Sequence, residues 1–192
     1  MISTLEEIID PNSRVDIIGE HSNYLILKEK SKESKISKLV IKNIPSNCFA
    51  FTLDCADKVK GKSYSQLSSY LNDSNDKGIN KSCDLVIMYF KEDMKLVEVD
   101  LIDLKSDKIK PQRCESQLNN SELFIRYLLD IIRFHYSIDL TPKVRKTIIF
   151  TGRPKKVPVY RGGEKYTKPL VYLPLTEKNG KAEVYYKKIA SC

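Results

Sequence analysis

Residues 100–106 read DLIDLKS, an apolar run that closes on an acid, one spacer and a lysine. Positions two apart in a strand point to the same face, so the Asp103 carboxylate and the Lys105 ammonium stand side by side. A second acid, Asp84, opens the preceding apolar run CDLVIMYF at 83–90. Two carboxylates and an ammonium gathered at one point suit the hydrolysis of a phosphodiester. That bond resists attack because it is already negative, and its transition state spreads further charge over the oxygens. Magnesium takes hard oxygen ligands, keeps several waters and is often held by one or two carboxylates. A lysine, as a compact donor cation, orients the attacking water or stabilises the developing charge. No Ser–His or Cys–His pattern signals a covalent nucleophile.

Three kinds of element must position these groups. In MKLVEVDLIDLKS (94–106), Val97, Val99 and Leu101 alternate onto one face with Asp103 and Lys105. Glu98, Asp100, Ile102 and Leu104 take the other face. The apolar three anchor their face in a core, and the two charges extend it towards the rim. A turn near Lys91 to Lys95 makes a hairpin that brings Asp84 beside Asp103. Leu118, Ile125, Leu129, Ile132 and Tyr136 recur at helical spacing, with Pro111 at the approach and Thr141-Pro142 as the stop. RKTIIFTGR then reads as a core strand. Upstream, STLEEIID reads as a helix capped by Ser3 or Thr4. NYLILK (23–28), KLVIK (38–42) and CFAFTLDC (48–55) read as strands, Ser63 caps a helix through YSQLSSYLND, and DSNDKGINKS is a polar loop. Downstream, KPLVYLPL and AEVYYKKI read as peripheral strands.

In this order of parts the chain resembles the PD-(D/E)XK nuclease superfamily, which includes restriction endonucleases, junction resolvases and repair nucleases. The resemblance covers roughly residues 48–153. It rests on Asp84 at a strand head, the Asp103-Leu104-Lys105 triplet closing the next strand, and an early helix glutamine, Gln117, with Gln112 as its substitute. The triplet has Asp where Glu is commoner, and the 19 positions from Asp84 to Asp103 require a long hairpin or a bulge. The resemblance implies an α/β (α+β) chain with a restriction endonuclease-like core, a mixed β-sheet flanked by helices. Residues 1–47 would be an N-terminal elaboration and 154–192 a β-rich basic extension of one domain. It also implies phosphodiester hydrolysis with Mg2+, or Mn2+ as a substitute, held by Asp84, Asp103 and the Leu104 carbonyl. Lys105 and Gln117 would position water or phosphate. Glu6 or Glu7 could supply the additional helix acid that some such nucleases carry.

Composition sets the remaining bounds. The 192 residues, 41% hydrophobic and 30% charged, suit one soluble domain. The N-terminal stretch lacks the pattern of a signal peptide, and no apolar run is long enough for a membrane span. Five cysteines, odd in number and irregular in spacing, are expected to be reduced thiols in the cytoplasm. Thirteen of the 33 Lys and Arg, but only three of the 25 Asp and Glu, lie from Thr141 onward. Such a basic quarter suits a polyanion, and Arg153, Lys155 and Lys156 in GRPKKVP are expected to follow a phosphate backbone. The expected partner is nucleic acid, DNA favoured, with room for a homodimer or a partner protein and, by analogy alone, a restriction or phage-defence setting. The competing reading is a non-catalytic nucleic-acid-binding or interaction module, with Tyr160, Tyr166, Tyr172, Tyr185 and Tyr186 stacking on bases. A small-molecule enzyme lacks a glycine-rich phosphate loop here. Asp54 and Asp57 read as loop acids, and His135 as a helix-end residue.

Overall fold

The structure is a computed structural model that describes residues 1–19, 22–28, 35–53, 55–57, 62–64, 67–68, 71–72, 75–91, 95–105, 109–151 and 170–191. Its elements run α1 (Ile2–Ile8), β1 (Ile17–Ile18), β2 (Tyr24–Lys28), β3 (Lys38–Lys42), β4 (Cys48–Phe51), β5 (Cys55–Asp57) and β6 (Lys62–Tyr64). Then follow β7 (Leu85–Phe90), β8 (Leu96–Lys105), α2 (Pro111–Tyr136), β9 (Thr141–Thr151), β10 (Val171–Leu175), β11 (Glu177–Lys178), β12 (Lys181–Tyr185) and α3 (Tyr186–Ala190). No helix among the described residues is long and apolar enough to cross a membrane.

Two mixed five-stranded sheets make this an α+β fold. The first has the order β10-β9-β8-β7-β4, and the second β1-β2-β3-β12-β11. In the first, β7 and β8 form the expected antiparallel hairpin, while β8 and β9 run parallel across the α2 crossover. The alternation in β8 divides the interior as its pattern requires. Val97, Val99 and Leu101 meet Leu118, Ile125 and Ile132 of α2 and Leu5 of α1 in one core. Ile102 and Leu104 meet Leu39 and Ile41 of β3 and Ile189 of α3 in the other. The helices α1 and α2 therefore cover one face of the first sheet, and the second sheet with α3 covers the other. A sheet with helices against it is present, but half of its cover is β-structure.

Several local expectations give way to tertiary pairing. Ser63 lies in β6, paired with Ala56, and does not cap a helix; propensity over a short polar stretch is easily overridden. The cap of α1 is Met1, with no side-chain bond. The end of α2 is set at Ser137, which takes the left-handed conformation at φ 54, and Thr141-Pro142 already belong to β9. Pro142 is tolerated there because β10 pairs only with residues 147–151, so β9 has no second neighbour at that point. β12 is an inner strand, parallel to β3 and antiparallel to β11, and the chain after it turns helical at Tyr186 instead of extending AEVYYKKI to its end.

Candidate active site

The hairpin register pairs Leu85 with Ile102. Continuing it by one residue places Asp84 across from Asp103, where cross-strand side chains are neighbours. The Asp84 backbone N–H donates to the Ile102 carbonyl at 3.0 Å, and its Oδ2 accepts the Leu104 N–H at 2.6 Å. Lys105 Nζ donates to Asp103 Oδ1 at 2.7 Å. The other oxygen, Asp103 Oδ2, is buried and has no hydrogen-bond partner among the described residues. The Leu104 side chain packs into the opposite core, so the middle of the triplet offers this site only its backbone. One expectation needs correction here. Asp103 is not at the rim: it is 0% exposed, while the Lys105 side chain remains 25% exposed. The helix lies over the first and leaves the second partly open.

The N-terminal half of α2 fixes the approach to Asp84. Cys114, Gln117 and Ser121 recur at helical spacing on the face turned to the sheet. The Cys114 thiol adjoins Asp103. Gln117 Nε2 donates to the Ser82 carbonyl at 2.9 Å. Ser121 Oγ accepts the Cys83 N–H at 2.9 Å and donates to the Gln117 carbonyl at 2.9 Å. The two residues before Asp84 are thus held by two helix side chains. Gln117 Oε1 is a second buried acceptor without a partner among the described residues. On the far side of the crossover, Lys146 Nζ of β9 reaches Asn119 Oδ1 at 2.6 Å and Glu122 Oε2 at 2.7 Å, which sets α2 against the sheet.

Charge within the site is balanced locally. Burial pulls the Lys105 pKa down, but the charges of Asp103 and Asp84 and the bond to Asp103 outweigh it, and the net shift is upward. Lys105 is therefore an ammonium at neutral pH, a donor and a charge, and not a base. Burial first, and then Asp103, pushes Cys114 up to about 11; burial pushes Cys83 up to about 12. Both remain thiols and supply no nucleophile.

No known protein family, no characterised protein and no solved structure matches this chain. What the site can hold follows from its own residues.

A divalent cation can be tested against those residues. Asp103 Oδ2 is a buried carboxylate oxygen without a donor among the described residues, and leaving such an atom unmatched costs about 1–3 kcal/mol or more. Asp84 stands across from Asp103 when the hairpin register is continued by one residue, and Leu104 follows Asp103 in the chain. Among the described residues no cluster of three or more His, Cys, Asp and Glu side chains is arranged for a metal. Two carboxylates with a carbonyl fit magnesium, which retains waters, better than they fit zinc.

The other expected residues fall elsewhere. Glu7 adjoins Tyr136 at the C-terminal end of α2, roughly 28 Å along the helix axis from Gln117 at 1.5 Å per residue, so neither it nor its neighbour Glu6 serves this site. Gln112 is exposed and lines a cleft with Gln117. His135 stacks edge-on against Phe134. Tyr185 is 51% exposed and Tyr186 only 4%. Arg153, Lys155, Lys156, Asp54, Tyr160 and Tyr166 lie outside the described residues. Glu98 and Asp100 belong to a separate network on the opposite face. Arg145 Nε and Nη2 hold Asp100 at 2.5 and 2.9 Å, Arg145 Nη1 holds Glu98 at 2.6 Å, and Tyr186 Oη donates to Asp100 at 2.7 Å. Sequence reasoning missed Cys114 and Ser121; their helical spacing with Gln117 was the available signal.

Proposed function

We propose that this chain is a magnesium-dependent nuclease of the PD-(D/E)XK type, hydrolysing phosphodiester bonds of nucleic acid, with DNA the favoured substrate. One observation supports the reading: Asp103 Oδ2 is buried and, among the described residues, unpartnered across from Asp84, while Lys105 holds the other oxygen of the same carboxylate. A cation there would be held by Asp84, Asp103 and the Leu104 carbonyl. When bound it supplies positive charge against the phosphate oxygens and acidifies water.

The chain's own groups do the rest. Lys105, kept charged by Asp103 and Asp84, faces the charge that develops on the phosphate oxygens. Gln117 Oε1, without a donor among the described residues, accepts an O–H from the attacking water and so orients it. Water adds to phosphorus as the P–O ester bond breaks, the water proton leaves to solvent, and the departing alkoxide takes a proton from solvent. Cys114 and the α2 face exclude bulk water around Asp103, which strengthens each of these interactions.

Incubation with supercoiled plasmid, linear duplex, single strands and RNA, each with magnesium, manganese or chelator, tests the proposal. Cleavage that requires the metal and is lost in Asp103→Asn supports it; no cleavage of any substrate sinks it. The full burial of Asp103 favours a second reading, a nucleic-acid-binding module without catalysis, which predicts binding that is indifferent to magnesium. A cytoplasmic setting, with the free and buried Cys48, Cys83 and Cys114 reduced, and a role in restriction or phage defence complete the proposal.

A further inference from the structure

We infer that the cleft between the 75–81 loop and the start of α2 binds a backbone phosphate of the nucleic acid next to the one that is cleaved. This rests on the nuclease reading above for its substrate class and extends it to a second subsite. The cleft has a volume of about 400 Å³ and is lined by Lys77, Lys81 and Arg113, by Gln112 and Gln117, and by one acid, Asp76. Three cations against one carboxylate give it a net positive lining. Among the described residues neither Lys77 nor Arg113 makes an ion pair, and both line the cleft. A phosphodiester fits this set: Arg113 offers a planar fork of donors and the lysines offer point charges.

Gln117 joins the cleft to the acid pair. It lines the cleft while its amide holds Ser82, two residues before Asp84. A strand whose scissile phosphate lies at Asp84 and Asp103 therefore passes Gln117 and presents its neighbouring phosphate to the cleft.

The loop is built to keep this shape. Asn80, 1% exposed, accepts the Ser68 N–H at 2.8 Å and donates to the Ser68 and Leu71 carbonyls at 2.8 and 3.1 Å. Asn120 of α2 donates to the Gly78 and Lys81 carbonyls at 2.9 and 3.0 Å. Those bonds use the backbone of Lys81 and no atom of the Lys77 or Arg113 side chains. Neutral substitutions at Lys77 and Arg113 therefore remove charge and leave these clamps in place, and at Lys81 they leave the bond from Asn120 to its carbonyl in place.

The experiment measures binding of a labelled duplex and a labelled single strand in chelator, from low to moderate salt. It compares the wild type, the triple variant Lys77→Gln/Lys81→Gln/Arg113→Gln and the single variant Arg113→Gln. Each lost phosphate contact should flatten the slope of log K against log salt by about one unit. The expected result is a slope shallower by about one unit for the triple variant, since the cleft holds one phosphate, and by part of that unit for Arg113→Gln, with unchanged melting temperatures. An unchanged affinity and slope in the triple variant overturns the subsite, whether or not the wild type cleaves. If the triple variant does not fold, an unchanged slope in Arg113→Gln overturns it equally. Loss of slope with no metal-dependent cleavage by the wild type retains the subsite and removes the nuclease reading alone.

Discussion

The Leu104 backbone N–H donates to the Asp84 carboxylate at 2.6 Å, so the acid at the head of one strand is clamped to the middle of the triplet that ends the next. Because Lys105 also holds Asp103, the two carboxylates are fixed at one end of the hairpin, and both charges act on the lysine.

That arrangement separates activity from folding. Asp103→Asn and Asp84→Asn should each lower cleavage by about a hundredfold or more, and Lys105→Gln by a similar factor, the usual loss when a preorganised charge is removed. Either Asn variant leaves Lys105 one carboxylate, so the melting temperature should hold. Cleavage of plasmid beside a thermal melt checks both parts; a folded Asp103→Asn protein with full activity removes the assignment.

Magnesium should stabilise the folded chain in proportion to its binding. At a hundred times the dissociation constant the gain is about 2.7 kcal/mol. A melt with and without magnesium should show the rise in the wild type and little or none in Asp103→Asn. Equal rises in both proteins would place the cation elsewhere.

On the opposite face of β8, Asp100 is 0% exposed and bound by Arg145 and Tyr186. Asp100→Ala leaves that guanidinium only Glu98 of its two carboxylate partners and takes the acceptor from the buried Tyr186 hydroxyl, and should cost about 3–5 kcal/mol. Tyr186→Phe removes one bond to a charged acceptor and should cost about 1.5–3 kcal/mol. Urea titration distinguishes the two magnitudes, and an Asp100→Ala loss under about 1 kcal/mol contradicts the network's structural role.

Glu98 gives the fold an acid-sensitive component. Lys91 first, then Arg145, lower its pKa from 4.5 to about 2 against the opposing effect of burial. A carboxylate with a depressed folded pKa contributes stability above its unfolded pKa and loses it as pH falls through the folded value. Stability should therefore decline from about pH 4.5 towards about pH 2, and Glu98→Gln should make that decline shallower. Denaturation curves around pH 5 and around pH 3 measure the difference.

Much of the first sheet was legible because its signals are local. The alternation in β8 put Val97, Val99 and Leu101 on the face with Asp103, and the cores divide along that line. The period of α2 marked its apolar face. The second sheet was less legible, since β3 and β12 pair across more than a hundred residues of chain and nothing local encodes that contact. One signal was present and passed over: Asn179-Gly180, both at positive φ, form the turn between β11 and β12, and this dipeptide favours such hairpins. The Ser63 helix failed for the opposite reason, since a weak local preference met a strand partner at Ala56.

By itself the sequence determined which residues share a face, because the two-residue period of a strand and the 3.6-residue period of a helix are fixed by backbone geometry. That places Asp103 with Lys105, and Cys114 with Gln117 and Ser121, before any packing occurs. Only the tertiary structure decided how deep each one lies and what it meets. Asp103 is sealed under α2 while Lys105 stays partly open. Arg145 turns to Asp100 on the far face, and Lys77, Lys81 and Arg113 converge on one cleft from two elements. Burial and convergence depend on which elements pack together, and that is a property of the whole chain's lowest free energy, not of any local run of residues.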